Sequence, residues 1–266
     1  MYDELADIVQ HRLDVGNLRQ AAEDLGFRVT KYRRGIDLGG GLGLHAPFLL
    51  DIVEEIYITD IVRYTTQYEG TLLAGISAKF ARNNIPYDPS RVEFHTVDAQ
   101  DLIYRDGLFD FVFSVNAFEH IPEPAKAYDE LIRVTAPGSL VLIQFDPLWH
   151  SAYGHHLFHL NLDPWAHLLT NREEFERLIY DKGGNANDFE IFLHEMNGKR
   201  FQIYRDLFEG QAAKHFSKWH FDYWSKSPQL DPYASRYPEI YEAARARGYD
   251  LENLLVRGVQ FIGERS

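Results

Sequence analysis

Five short apolar runs separated by stretches of helical character, all within residues 35–145, set the strongest limit on what this chain can fold into. The runs are "GIDL" (35–38), "IYITDI" (56–61), "VEFHTVDA" (92–99), "FDFVFSVNAF" (109–118) and "APGSLVLIQF" (136–145). Between them "HAPFLLDIVE" (45–54), "YTTQYEGTLLAGISAKF" (64–80) and "EPAKAYDELIRVT" (123–135) read as helices, with Pro124 suited to a first helical turn. Strands that are apolar throughout are buried on both faces, and alternating helices supply the cover. The expectation is an α/β protein built on a mostly parallel sheet with helices on both faces.

The flanks are less regular. Residues 3–13 and 17–25 read as two short helices broken at Asp14–Asn17 and stopped by Gly26. "HFSKWHFDYW" (215–224) and "LLVRGVQFIGE" (254–264) read as a sixth and a seventh strand. The stretch between the fifth and sixth strands is far too long for a simple crossover. The chain therefore divides into a helical arm (1–34), a core (35–145), an inserted segment lying over the mouth of the sheet (146–214), and the last two strands (215–266).

The first strand runs into "GIDLGGGLGLHA" (35–46). Glycines at a strand end let the backbone approach a ligand, and the helix start that follows offers unpaired N–H groups. No Lys-Ser/Thr follows, so this is not a Walker loop. Gly41 to Ala46 does fit the dinucleotide pattern G-x-G-x-x-A, and Asp60 follows Gly41 by 19 residues. That leaves a nicotinamide-dependent oxidoreductase and a non-catalytic nucleoside-binding module as alternatives. Against the dinucleotide stands Asp37, an anion awkward beneath a pyrophosphate but suited to a ligand carrying an ammonium and a sulfonium. Acids recur at the second and third strand ends, Asp60 and Asp98, and the fourth strand is followed by Asn116, Glu119 and His120.

The ordered set "IDLGGGLG … YITD … TVDA … FDFVFSVNAFEHI … LIRVTAPGSLVLI" resembles the class I S-adenosylmethionine-dependent methyltransferases, over about residues 35–145. The resemblance implies a Rossmann-like, seven-stranded sheet whose last strand runs antiparallel. It also implies S-adenosylmethionine as cofactor. Asp37, Gly39, Gly41 and Gly43 would lie near its amino-acid moiety, Asp60 with Ile61 at the ribose, Asp98 with Ala99 at the adenine, and Asn116 along the methionine side.

The inserted segment opens with "DPLWHSAYGHHLFHLNLDPWAHLL" (146–169), which holds His150, His155, His156, His159, His167, Trp149 and Trp165. Aromatic faces stabilise cations and stack on rings, and imidazoles take protons at neutral pH. The same residues would equally serve as a satellite core. Methyl transfer to a hydroxyl needs a general base, so a histidine-rich cover favours an oxygen acceptor on a small molecule or sugar. The "Trp…Gly-His-His" stretch is similar to methyltransferases of bacterial glycan and secondary-metabolite pathways. His156 is the first candidate base, then His155, with His120 and His150 in reserve. His155 and His159, four apart, would share a helix face as metal ligands, but no partnering carboxylate stands beside them and no metal is expected.

Composition narrows the partners. A formal net charge of −13 argues against a nucleic-acid binder, which needs a basic face. The absence of cysteine excludes thiolate chemistry. No apolar stretch is long enough for a membrane span, and the first residues lack the pattern of a secretion signal, so a cytoplasmic protein is expected.

Overall fold

In the computed structural model, residues 3–64 and 71–266 are described. Seven strands, β1 (Tyr32–Leu38), β2 (Val53–Asp60), β3 (Val92–Thr96), β4 (Phe109–Val115), β5 (Thr135–Phe145), β6 (Phe216–Tyr223) and β7 (Val259–Arg265), form one sheet in the order β3-β2-β1-β4-β5-β7-β6. All pairings from β3 to β5 are parallel, and β7 runs antiparallel to both β5 and β6. This is the Rossmann-like α/β architecture expected, including the single reversed strand.

The alternation of side chains along the strands builds two cores. Leu140 and Leu142 of β5 join Phe111, Phe113, Ile56 and Ile58 on one face, while Val141 and Ile143 join Ile36, Leu38 and Val112 on the other. Each of these side chains contributes roughly 1.5–3 kcal/mol by leaving water. Helix α4 (Pro124–Val134) covers the second face with Ala127, Tyr128 and Leu131.

Helix α1 covers the first face, and it corrects the expectation of two short helices. It runs unbroken from Glu4 to Asp24, with the Asp3 carboxylate capping the N–H groups of Leu5 and Ala6. Gly16 costs about 1 kcal/mol in a helix interior, but Val15, Leu18 and Ala22 are buried against the sheet and outweigh it. The stretch expected as a helix over 45–54 is also shorter: α2 spans Ala46–Leu49, because Ile52 and Val53 are already buried at the start of β2. The helix expected over 64–80 lies partly outside the described residues, and its described part is α3 (Leu72–Arg82).

Residues 146–214 carry α5 (Ala166–Leu169), α6 (Arg172–Asp181), α7 (Ala186–His194), α8 (Phe201–Arg205), a π-helical turn (Asp206–Gly210) and α9 (Ala212–His215). Three further helices, unforeseen in the sequence, stand between β6 and β7: α10 (Pro232–Arg236), α11 (Pro238–Ala246) and α12 (Leu251–Leu255). They pack on the inserted segment through Ala234, Tyr241, Ala244 and Leu254 against Ala152, Trp165 and Leu168. The chain after β6 thus contributes more than two strands.

Candidate functional site

The strands β1, β2 and β4 end side by side, and the loops that leave them enclose a cavity. The loop after β1 is pinned to β2: the N–H groups of Gly39 and Gly40 both donate to the Thr59 carbonyl, at 2.9 and 3.0 Å. Gly39 has φ +73°, and a Cβ there would stand 2.4 Å from that of Ala117. At Gly40 a Cβ would fall 2.6 Å from the Asp37 carboxyl carbon. Neighbouring side chains thus fill the place of a Cβ at both positions, so the loop presents only backbone there.

That cavity, about 480 Å³, is lined by Gly39, Gly41, Asp60, Ile61, Asp98, Ala99 and Asn116, together with Tyr64, Gln100, His120 and Glu195. Seven of the nine residues expected at a cofactor therefore face one space. The Asp60 carboxylate accepts from the N–H of Gly41 at 3.1 Å through Oδ2 and from the N–H of Val62 at 2.8 Å through Oδ1. A carboxylate offers about four lone-pair positions, so each oxygen keeps one. Burial, partly countered by those two N–H groups, holds the Asp60 pKa above its ordinary value. Asp98 is engaged locally, its Oδ1 accepting from the backbone N–H of Gln100 at 2.8 Å.

Asp37 and Gly43, the other two residues expected near the cofactor's amino-acid moiety, line neither this cavity nor the next. Gly43 is turned toward Phe94, where a Cβ would meet the ring at 2.7 Å. Asp37 is wholly buried beneath the loop, with neither carboxylate oxygen hydrogen-bonded among the described residues. His45 Nδ1 stands 3.7 Å from Asp37 Oδ2, and His45 Nε2 lies 3.3 Å from Asp14 Oδ2 on α1. Burial works against a charged His45 ring, but the two carboxylates outweigh it and raise its pKa to about 9. The acid read as a ligand contact is the underside of the loop, tied through His45 to α1.

A second cavity, about 710 Å³, opens between α1, the glycine loop and the start of the inserted segment. Gly39, Gly41, Asn116 and His120 line both cavities. The second is otherwise walled by Asp7, Gln10, His11 and Asp14 of α1, by Asp146, and by His156 and Phe158. The α1 residues escaped the sequence reading, although their spacing of three and four places them on one helix face.

His194 of α7 lines the first cavity, and of the five histidines in the 146–169 stretch His156 alone lines either one. Its φ is +60° and its Nε2 is buried without a hydrogen-bond partner among the described residues. Burial, then the neighbouring His120 ring, push its pKa down to about 4. His120 places Nδ1 2.7 Å from the Glu195 carbonyl. Adjacent Glu119 is fully buried, both oxygens lack partners among the described residues, and burial holds its carboxyl well above the usual range.

His155 is a correction. It lies in a satellite core with Tyr153, His167 and Phe175 around it, fully buried, its Nδ1 accepting from the Leu157 N–H. Burial, reinforced by His167 and His156, drives its pKa down to about 2. His167 and Trp149 belong to the same core, Trp165 to an adjoining one, and His150 packs on Tyr249. The pairing of His155 with His159 does not form: His159 stands in a short 3-10 turn and pairs with Asp188 at 3.1 Å. Gly154 is needed for space, since a Cβ would meet the Trp149 carbonyl oxygen at 1.9 Å.

One brace was not foreseen at all. Asn197 donates from Nδ2 to the carbonyls of Phe118 and Ile121, both at 2.8 Å, and its N–H donates to the Glu119 carbonyl at 2.9 Å. The inserted segment thereby clamps the loop after β4 that carries His120.

A glycine loop at the end of β1, a carboxylate at the end of β2 and a mixed sheet with one reversed strand define a Rossmann-like α/β domain with a cavity at its strand ends. Residues 36–143 match the methyltransferase domain family. Over 116 residues the chain is 31% identical to the chloroplastic tocopherol O-methyltransferase of Arabidopsis thaliana, 42% of this chain and 30% of that protein. It is 41% identical over 118 residues to the ajmaline N-methyltransferase of Rauvolfia serpentina, 42% of this chain and 36% of that protein. The chain thus spans about a third of the length of these curated relatives. Among solved structures, the phosphoethanolamine N-methyltransferase 2 of Haemonchus contortus, in complex with S-adenosylmethionine, shares the fold. Its TM-score is 0.51 at 14% identity, covering 94% of this chain and 52% of that one. Residues 36–143 are thus similar to the methyltransferase domain family, the class that the sequence resemblance implies.

Proposed function

We propose that this protein transfers a methyl group from S-adenosylmethionine to a hydroxyl of a small, uncharged or cationic acceptor such as a sugar. The observation that carries the reading is Asp60. Its two oxygens each keep a free lone pair beside a bare glycine loop, the arrangement a ribose diol requires. The size of the adjoining cavity, about 480 Å³, falls in the ordinary range of roughly 300–1,000 Å³ for cofactor pockets. Bound there, S-adenosylmethionine supplies an electrophilic methyl on a sulfonium.

The chain's own part is placement and proton handling. Asp60 and Asp98 would hold the ribose and adenine, and Asn116, between the two cavities, the methionine side. The acceptor would occupy the second cavity, where Asp146 suits a hydroxyl donor, Asp7 and Asp14 being already paired with Lys79 and His45, and exposed Phe158 offers a ring to stack on. His156 and His120 are the groups placed to take the acceptor's proton. His156 is uncharged at neutral pH, so its lone pair is available. The inserted segment acts in this reading as a substrate lid. The relatives include both O- and N-methyltransferases, and the choice of oxygen rests on the imidazoles. Calorimetric titration with S-adenosylmethionine, S-adenosylhomocysteine and NAD tests the cofactor. Binding of NAD alone overturns the reading in favour of an oxidoreductase, and binding without turnover on any hydroxylated acceptor leaves a nucleoside-binding module.

A further inference from the structure

We propose that Glu119, His120 and His156 form a site for one divalent first-row transition-metal ion in the wall between the two cavities. One ligand atom from each residue lies within 4.8 Å of the other two. Two imidazole nitrogens and one carboxylate are the donor set of many three-ligand sites for zinc, manganese or iron.

Three features separate this cluster from a chance meeting of polar residues. Glu119 is completely buried, yet neither oxygen finds a hydrogen-bond donor among the described residues. The nearest basic atom, His120 Nε2, is 3.7 Å from Oε1, beyond hydrogen-bond reach. A buried carboxyl with both oxygens unpaired is destabilising, and a core position without a polar task would hold an apolar residue at lower cost. Second, His120 is oriented as a ligand. A carbonyl only accepts, so the contact with the Glu195 carbonyl at 2.7 Å puts the ring proton on Nδ1 and leaves the Nε2 lone pair toward Glu119. A backbone carbonyl holding the far nitrogen is the usual outer partner of a metal-bound imidazole. Third, His156 brings its own unpartnered, buried Nε2 into the group from a left-handed backbone conformation, φ +60°. Such a conformation in a non-glycine residue persists where the surroundings fix it, and it is concentrated at functional positions.

Three protein ligands leave positions open, and both His120 and His156 border the second cavity. An oxygen of a molecule in that cavity could complete the coordination. The proposal deepens the methyltransferase reading: a cation there would lower the pKa of an acceptor hydroxyl bound to it, as metals acidify bound water, so that its proton passes to solvent water and no free imidazole is needed to remove it.

The test uses the untagged full chain stripped of metal by chelator and dialysis. It is then titrated with Zn²⁺ in the calorimeter and with Co²⁺ while visible absorption is followed. The expected result is one ion per chain, with affinity lowered at least tenfold in Glu119→Gln and His156→Gln, and unchanged in His159→Gln on the surface. His120→Gln, at a partly exposed position, reads the same site should Glu119→Gln not fold. No stoichiometric uptake by the wild-type chain, or equal uptake by the ligand variants, overturns the site. A parallel titration with S-adenosylhomocysteine keeps the two readings apart. Nucleoside binding without ion uptake removes the metal site alone, and ion uptake without nucleoside binding removes the methyltransferase reading alone.

Discussion

The rings of His120 and His156 meet edge to face, with centroids 5.1 Å apart and planes at 83°. One stands on the loop after β4, the other on the segment that follows β5. Asn197 braces the first of these from a third point in the chain, holding the carbonyls of Phe118, Glu119 and Ile121. A pair of imidazoles thus stands at the boundary between the two cavities.

The two adjacent histidines should separate cleanly on substitution. His156→Ala removes a group at the cavity and should cut turnover by roughly 10²–10⁴ while cofactor affinity stays near the wild-type value. His155→Ala empties a packed interior site and should lower stability by about 2–4 kcal/mol, with turnover per folded molecule unchanged. Turnover and unfolding measured on both variants check this; equal turnover loss in the two would place the reaction elsewhere.

Asp60→Ala should weaken binding of S-adenosylhomocysteine about ten- to a hundredfold, since charged hydrogen bonds are worth roughly 1.5–3 kcal/mol. Asp60 also anchors Gly41 and Val62, so Asp60→Asn, which keeps acceptor oxygen on one side only, should fall between. Calorimetry on folded variants checks the order, and near-unchanged affinity in Asp60→Ala would remove this residue from the site.

Gly40→Ala should be destabilising by roughly 1–3 kcal/mol. The added methyl would meet the buried Asp37 carboxylate at 2.6 Å and Ile58 at 2.9 Å, neither of which can move aside freely. Gly75→Ala is the matching control: it stands exposed in α3 with nothing within 4 Å, and alanine there should stabilise by up to about 1 kcal/mol. Melting temperatures of the two variants should move in opposite directions.

The His45 network predicts a loss of stability in alkali. Its pKa in the folded chain, about 9, lies above the ordinary histidine value of 6.5. Folding therefore favours the protonated ring, and this contribution is full below pH 6.5 and is lost as pH rises through 9. Its ceiling is about 3 kcal/mol at 1.36 kcal/mol per pH unit. The groups facing the ring are Asp14 and His11 on α1 and Asp37 at the end of β1. Denaturant unfolding at pH 6 and pH 9.5 should show the fall in the wild-type chain and a much smaller one in His45→Gln.

What the sequence revealed follows from burial. Runs such as "FDFVFSV" are apolar at nearly every position because both faces are covered, so the strands and the loops at their ends could be placed before any coordinates. Residues 14–17, Asp-Val-Gly-Asn, carry a turn signature, but Val15 and Leu18 have a sheet to pack on, and tertiary contact overrides local propensity. The histidine-rich stretch was harder for a different reason. A satellite core and a ligand cover both demand aromatic rings, and what distinguishes His156 from His155 is one left-handed backbone angle that composition does not encode. Asp37 was recognised as unusual, but its burial beneath the loop was not legible, since an acid under the backbone and one facing a ligand leave the same letter in the sequence.

Gly39, Gly41, Asn116 and His120 border both cavities. A ligand in either space therefore touches the wall of the other. Asn116 is held in a left-handed conformation, φ +51°, with its Oδ1 accepting from the Asp146 N–H at 3.2 Å. Under the proposed reading, a shift of that side chain toward one occupant would alter its hold on the strand-end segment that shapes the other space. Under the proposed reading the two binding events would be one equilibrium, and whatever factor cofactor binding applied to acceptor affinity, acceptor binding would return to the cofactor in full.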